Sequence, residues 1–138
     1  MIILLLIWVV LMIIGMFTDS VHALFTRGQV NFSFRSHPDH VDLFRMYPIE
    51  SISKFETSGH FIMFFILTAL LIAVCKDWLF AILVAFSFAI TSELIQPFFG
   101  RGGDLYDLGA DSIGILLAFI YQYIAVKVEK YGSDVLEN

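Results

Sequence analysis

Residues 57–96 read TSGHFIMFFILTALLIAVC, then KD, then WLFAILVAFSFAITSELIQ. Two apolar runs, Thr57–Cys75 and Trp78–Gln96, are separated only by Lys76 and Asp77. At a rise of about 1.5 Å per residue, a helix of either length approaches the ~30 Å hydrocarbon core of a bilayer. The pair therefore predicts two antiparallel membrane helices joined by a very short polar turn. Trp78 stands where an aromatic ring is expected at headgroup level. Pro97 follows Gln96, and the residue before a proline is pushed away from helical geometry, so the helix should end there.

Working outward, Phe98-Phe99-Gly100-Arg101-Gly102-Gly103 forms a glycine-rich turn. A further apolar run spans about Leu105 to Val126, with Asp107 and Asp111 in its first turns and a polar tail from Lys127 to Asn138. At the other end lies the run Ile2–Phe17, stopped by Thr18-Asp19-Ser20. It would cover roughly 25 Å as a helix. Val21-His22-Ala23 loosely resembles a signal-peptide cleavage site, but no Lys or Arg precedes the apolar run, which favours a retained helix. Trp8 reads as ordinary apolar bulk in mid-run.

Residues 18–56 are the long hydrophilic stretch. Val30, Phe32 and Phe34 alternate with Asn31, Ser33 and Arg35, a short strand-like pattern. Asp39 to Phe55 mixes apolar and charged residues around Pro48, which suits a segment lying on the membrane surface.

Composition agrees with the membrane reading. Of 138 residues, 59% are hydrophobic and 15% charged, with mean hydropathy +0.84. A soluble domain carries about a quarter charged residues. The net charge of −5 and the lack of a basic cluster argue against nucleic acid as a partner. The single cysteine, Cys75, excludes an internal disulfide and reads as apolar filler near the interface.

The expected fold is thus an all-α integral membrane protein, one domain over residues 1–138. It is a four-transmembrane-helix bundle with helices at about 2–17, 57–75, 78–96 and 105–126, and with 18–56 extramembrane or interfacial. Both termini then lie on one side, and the long segment and glycine-rich turn on the other. Charge bias barely decides orientation. Lys76, Lys127 and Lys130 flank the termini side, against Arg27, Arg35, Arg45, Lys54 and Arg101 opposite, the latter diluted by acids.

The polar residues of the spans gather at that second face. Glu93 and Gln96 are three apart and share a helix face, as do Asp104, Asp107 and Asp111 at spacings of three and four. Gly114 and Ala118 continue the latter stripe with small residues that admit a neighbouring helix. A charge at the centre of a span costs at least ~2.5 kcal/mol, so these acids should face a polar pocket near the surface. Four acids against Arg101 call either for protonation of some carboxyls or for a cation, such as a divalent metal ion at Asp104 and Asp107. Arg101 suits a carboxylate or phosphate oxygen. His60, on the same side, suits a general base. Candidate catalytic residues are therefore Glu93, His60 and Arg101, and candidate ligand-binding residues Glu93, Gln96, Arg101, Asp104, Asp107, Asp111 and His60. A structural account is also open: Arg101 stapling the turn to Asp104 or Asp107, Asp104 capping the last helix, and the glycines serving only the turn. His22, His37 and His40 with Asp39 and Asp42 do not follow a recognised metal-ligand spacing.

The stretch from Glu93 through Gln96, Arg101, Asp104, Asp107 and Asp111 to Gly114 resembles the signature of the VanZ-like family of bacterial membrane proteins. His60, with Phe61 and Phe64, looks like that family's histidine at the start of a preceding helix. The resemblance covers roughly residues 50–120. Asp111 stands where the family usually has Asn, and Thr57 where a Lys is common, with Lys54 the nearest substitute; both departures make the pocket more acidic. The founding member confers low-level resistance to teicoplanin, a glycopeptide antibiotic. The resemblance implies a bacterial cytoplasmic membrane location, an envelope-related role and a pocket on the outer face, with termini in the cytoplasm. Its occupant would be a lipid headgroup, a lipid-linked precursor or the glycopeptide itself. The alternatives are an enzyme acting on a lipid-linked envelope substrate, and an accessory subunit of a larger membrane complex or homo-oligomer.

Overall fold

The computed structural model describes residues 1–38 and 47–136. Among the described residues five α-helices follow one another: α1 (Ile2–Phe17), α2 (Val21–Arg27), α3 (Lys54–Cys75), α4 (Trp78–Ile95) and α5 (Leu105–Leu136). Three segments are long and apolar enough to cross a membrane: Lys54–Cys75, Trp78–Phe99 and Leu105–Ser133. Helices α1 and α2 meet at 116° and would make a fourth crossing if the bent pair is one span.

Local chemistry sets the boundaries. Ser20 caps α2 by accepting from the Ala23 amide at 3.2 Å, and Gly28 closes it with φ 63°. Ser53 caps α3, which starts at Lys54, slightly ahead of the expected Thr57. Lys76 closes α3 in the left-handed region with φ 57°, and Asp77 immediately caps α4 by accepting from the Phe80 amide at 3.0 Å. The two-residue turn between the long helices is thus a stop signal and a start signal in series. As Pro97 requires, α4 ends at Ile95 and passes into a 3-10 turn, Gln96–Phe99, closed by Gly100 at φ 78°. The apolar part of α5 ends near Val126 as expected, but the helix itself continues through the polar tail to Leu136.

The strand expected around residues 30–35 does not form, and no strand occurs among the described residues. The Arg35 amide donates to Phe98 O at 2.7 Å and the Asp19 amide to Asn31 O at 2.8 Å, two isolated contacts that never repeat as a ladder. The alternation instead places Phe32 and Phe34 against Phe99 at ring distances of 6.4 and 6.0 Å, draping the segment over the turn after α4. Of the expected surface-lying segment Asp39–Phe55, residues 39–46, including Asp39, His40 and Asp42, lie outside the described residues. From the remainder, Ile49–Ser51 forms a 3-10 turn.

The core is built where α1, α3, α4 and α5 meet, from Met12, Met16, Phe64, Leu67, Leu71, Ile72 and Ile115 with Ala81, Ala85 and Ala89. The three alanines recur every four residues and are fully buried, a small-residue stripe on α4. Helix α1 is tied in more firmly than its apolar sequence implies: Trp8 Nε1 donates to Met63 O at 3.1 Å, so Trp8 is not mere bulk. Helices α3 and α5 approach closely enough for backbone contact. A Cβ added at Gly114 would sit 2.4 Å from Phe61 O and 3.1 Å from the Phe65 amide nitrogen. That contact is backbone on backbone and cannot yield by a rotamer change.

Gly114→Ala is therefore expected to prise α3 from α5 and destabilise the protein by about 1–3 kcal/mol, as overpacking does. Gly109, on the same helix, has nothing within 4 Å of its added Cβ. Gly109→Ala should leave the thermal midpoint in detergent unchanged or raise it, so the pair of variants separates a close-approach requirement from helix propensity.

Candidate functional site

Three helices converge at one end of the bundle. Helix α3 brings Thr57 and His60, three apart on one face; α4 brings Glu93 in its last turn; α5 brings Asp107 and Asp111, four apart. His60 is 2% exposed, Glu93 1% and Asp111 0%.

The imidazole is the centre of this group. His60 Nδ1 lies 3.1 Å from Asp111 Oδ1, in hydrogen-bond contact, and 3.6 Å from Glu93 Oε1. Its other nitrogen, Nε2, lies 3.8 Å from Asp107 Oδ2. Asp107 is fixed in turn by Thr57, whose hydroxyl donates to Oδ1 at 2.9 Å. Glu93 uses Oε2 to accept from the Asp104 amide at 2.7 Å, which ties the end of α4 to the start of α5. Several buried polar atoms have no hydrogen-bond partner among the described residues: Glu93 Oε1, Asp111 Oδ2 and both amide atoms of Gln96. One ligand-type atom from each of His60, Glu93 and Asp111 lies within 4.8 Å of the others.

The candidate residues thus divide. His60, Glu93, Asp107 and Asp111 come together, and Gln96 is buried one turn beyond Glu93. Asp104 accepts from the Tyr106 amide at 2.8 Å and serves as the cap of α5, so this oxygen serves the helix end. Arg101 does not staple the turn to Asp104 or Asp107. Its Nη1 donates to Gly15 O at 3.2 Å, at the carbonyl end of α1, and its Nη2 lies 3.5 Å from Glu56 Oε2. A cation favours the carbonyl end of a helix, so Arg101 joins α1 to α3 across the glycine-rich turn.

Arg101 also borders a cavity of about 730 Å³ between α1, α2 and the start of α3. Its walls are apolar, with Trp8, Leu11, Met12, Phe25, Ile62 and Met63 among them, and its polar side chains are Glu56, Ser58, His60 and Arg101. His60 is therefore shared: one residue lines the cleft and anchors the carboxylate cluster. Chemically, the arrangement offers an imidazole oriented by carboxylates beside a space suited to an apolar chain. Sequence reasoning missed Thr57 and Glu56 as functional positions. The helical spacing of both to His60 carries a signal, three and four residues away on the same helix.

The sequence model of the VanZ/LLP1 family matches residues 1–126. The chain belongs to the VanZ/LLP1 family. The matched stretch contains all of α1 to α4 and the part of α5 that carries Asp107, Asp111 and Gly114. Among curated proteins, an uncharacterized membrane protein of Bacillus subtilis (strain 168), YwnJ, is 31% identical over 129 residues, covering 89% of each chain. No solved structure matches at a comparable level. This family member is a membrane protein with several apolar spans, and its candidate site lies where three of them end.

The capping role of Asp104 can be separated from any ligand role. Asp104→Asn keeps an acceptor for the Tyr106 amide and should unfold within experimental error of the parent. Asp104→Ala should lose about 1 kcal/mol, the usual value of a lost helix cap, read from thermal unfolding in detergent.

Proposed function

We propose that this protein binds an envelope amphiphile, with the apolar chain in the cleft between α1, α2 and α3 and the polar headgroup at Arg101, Glu56 and His60. The observation that carries this reading is the cleft itself: about 730 Å³ of apolar space whose polar side chains are Glu56, Ser58, His60 and Arg101. Pockets for small molecules share this design, apolar walls with a few polar groups that fix orientation. In this reading the protein crosses the bacterial cytoplasmic membrane four times, the retained α1–α2 pair counting as one crossing. The cluster faces outward and the termini face the cytoplasm. Sequestering or presenting an envelope lipid at that face lowers susceptibility to teicoplanin-type glycopeptides, the activity of the founding member of the VanZ-like group. The family membership and the position of the cleft beside the cluster support it.

A second reading has its own support. His60 lines the cleft and is hydrogen-bonded to Asp111 at 3.1 Å, the posture of a general base held by a carboxylate. A lipid-linked envelope substrate seated in the cleft would place its headgroup against that imidazole, with Arg101 as the anion clamp. The cell would then accumulate the substrate when His60 is replaced.

Expression in a susceptible bacterium should raise the inhibitory concentration of teicoplanin and its lipoglycopeptide relatives, and deletion from the native host should lower it. Arg101→Ala and Ile62→Trp, the latter filling the cleft, should each abolish the increase while the protein still reaches the membrane. Unchanged susceptibility with the parent protein in every background removes the resistance role. Comparative lipid profiling of the parent and His60→Ala strains separates the two readings: an accumulating species favours the enzyme, identical profiles favour binding alone.

A further inference from the structure

The amphiphile reading uses one side of His60 and leaves the buried group behind it unexplained. Three carboxylates and an imidazole meet inside the spans, and two carboxylate oxygens there, Glu93 Oε1 and Asp111 Oδ2, have no hydrogen-bond partner among the described residues. A buried polar atom without a partner is costly, and more so where lipid replaces water. Moreover, Glu93 Oε1 points at the group: it lies 3.6 Å from His60 Nδ1, close but outside hydrogen-bond contact.

We infer that His60, Glu93 and Asp111 form a binding site for one divalent transition-metal ion of the zinc or manganese class. The donor set is one imidazole nitrogen and two carboxylate oxygens, which suits borderline and hard divalent ions rather than copper(I) or an iron–sulfur cluster. Two of the three ligand spacings fit as well, and the third lies within 4.8 Å. Ligands about 2.0–2.1 Å from a tetrahedral ion stand about 3.3 Å from one another. His60 Nδ1 is 3.1 Å from Asp111 Oδ1 and 3.6 Å from Glu93 Oε1, on either side of that value.

The surroundings of the imidazole supply an independent argument. A metal-binding histidine usually directs its second ring nitrogen at a carboxylate, which fixes the ring and its tautomer. Here Nε2 lies 3.8 Å from Asp107 Oδ2, just outside hydrogen-bond contact, and the Thr57 hydroxyl holds Asp107 at 2.9 Å; an ion at Nδ1 would take the place of that nitrogen's 3.1 Å contact with Asp111. The nitrogen left for a metal is Nδ1, the one aimed at Glu93 and Asp111. Charge agrees with geometry: a divalent ion offsets the two ligand carboxylates and leaves Asp107, held by the Thr57 hydroxyl, as the one remaining acid of the group. Asp111 completes this set, because an Asn there would supply no charge. Three protein ligands leave a position for water or a headgroup oxygen, the pattern of reactive rather than purely structural sites. The proposal does not depend on the amphiphile reading, since Glu93 and Asp111 are not among the residues that line the cleft and His60 alone is shared.

The test is metal analysis of the full-length protein, purified in mild detergent and freed of loose ions by a weak chelator. Mass-spectrometric metal content, before and after loading with Zn²⁺ or Mn²⁺ alone, should reach about one equivalent per chain. Glu93→Gln and Asp111→Asn, which keep side-chain size, should lower retained metal at least about ten-fold, and Asp107→Asn should weaken affinity by about 10–100-fold. Arg101→Ala should retain the metal while losing amphiphile binding, so that failure of one reading does not carry the other with it. Wild-type protein that holds under about a tenth of an equivalent even after loading overturns the proposal. So does metal that Glu93→Gln and Asp111→Asn both keep. Should a variant misfold by circular dichroism, the wild-type stoichiometry still decides.

Discussion

Placing His60 inside a membrane bundle against Glu93, Asp107 and Asp111 imposes a constraint on everything near it. Carboxylates in a span must meet a partner, and here all three meet the same imidazole at 3.1–3.8 Å. Each comes from a different part of the fold than the ring itself, so α3, α4 and α5 cannot shift independently without separating charges in a medium of low dielectric. The Ser53 and Asp77 caps, the Pro97 break and the Glu93–Asp104 tie all place helix ends so that these side chains arrive together. The polar group thus works as a joint as well as a pocket.

Arg101 does a different job in a different place. It satisfies the Gly15 carbonyl at the end of α1 and pairs with Glu56, which brings α1 and the short α2 against α3 and encloses the cleft. A basic residue near many acids would be expected to sit among them. Arg101 instead meets the Gly15 carbonyl and Glu56, while the buried acids share His60. Two neighbouring sites of opposite character result: an acidic buried group and an apolar cleft with a guanidinium at its border. His60 is common to both.

Much of this was legible in the sequence. The apolar runs gave the three long helices, Lys76-Asp77 and Pro97 gave their ends, and helical spacing gave the shared faces of Glu93 with Gln96 and of Asp107 with Asp111. Gly114 was readable as a point of close approach because small residues in spans serve that purpose. What stayed hidden depends on distant partners. Arg101 meets a backbone carbonyl 86 residues away, and a carbonyl carries no side-chain signal at all. The alternation of Val30, Phe32 and Phe34 was real but answered to the rings of Phe98 and Phe99 rather than to a neighbouring strand. Thr57 looked like a missing lysine; its hydroxyl bond to Asp107 shows a neutral donor in that place. The continuation of α5 to Leu136 escaped a hydropathy reading because a helix does not end where its apolar stretch ends.

The contact at Gly114 bears on how the protein meets bilayers of different thickness. Helices respond to a mismatch by tilting or sliding past one another. Between α3 and α5 the touching surfaces are backbone, and the joint lies one turn from Asp111, so this crossing acts as a fixed pivot. Movement must be taken up at the far ends of the levers: the polar extension of α5 beyond Val126, and the α1–α2 elbow at 116°. On that footing the α1 and α2 walls of the cleft are the part expected to respond to bilayer thickness, and the carboxylates around His60 the part expected to hold still.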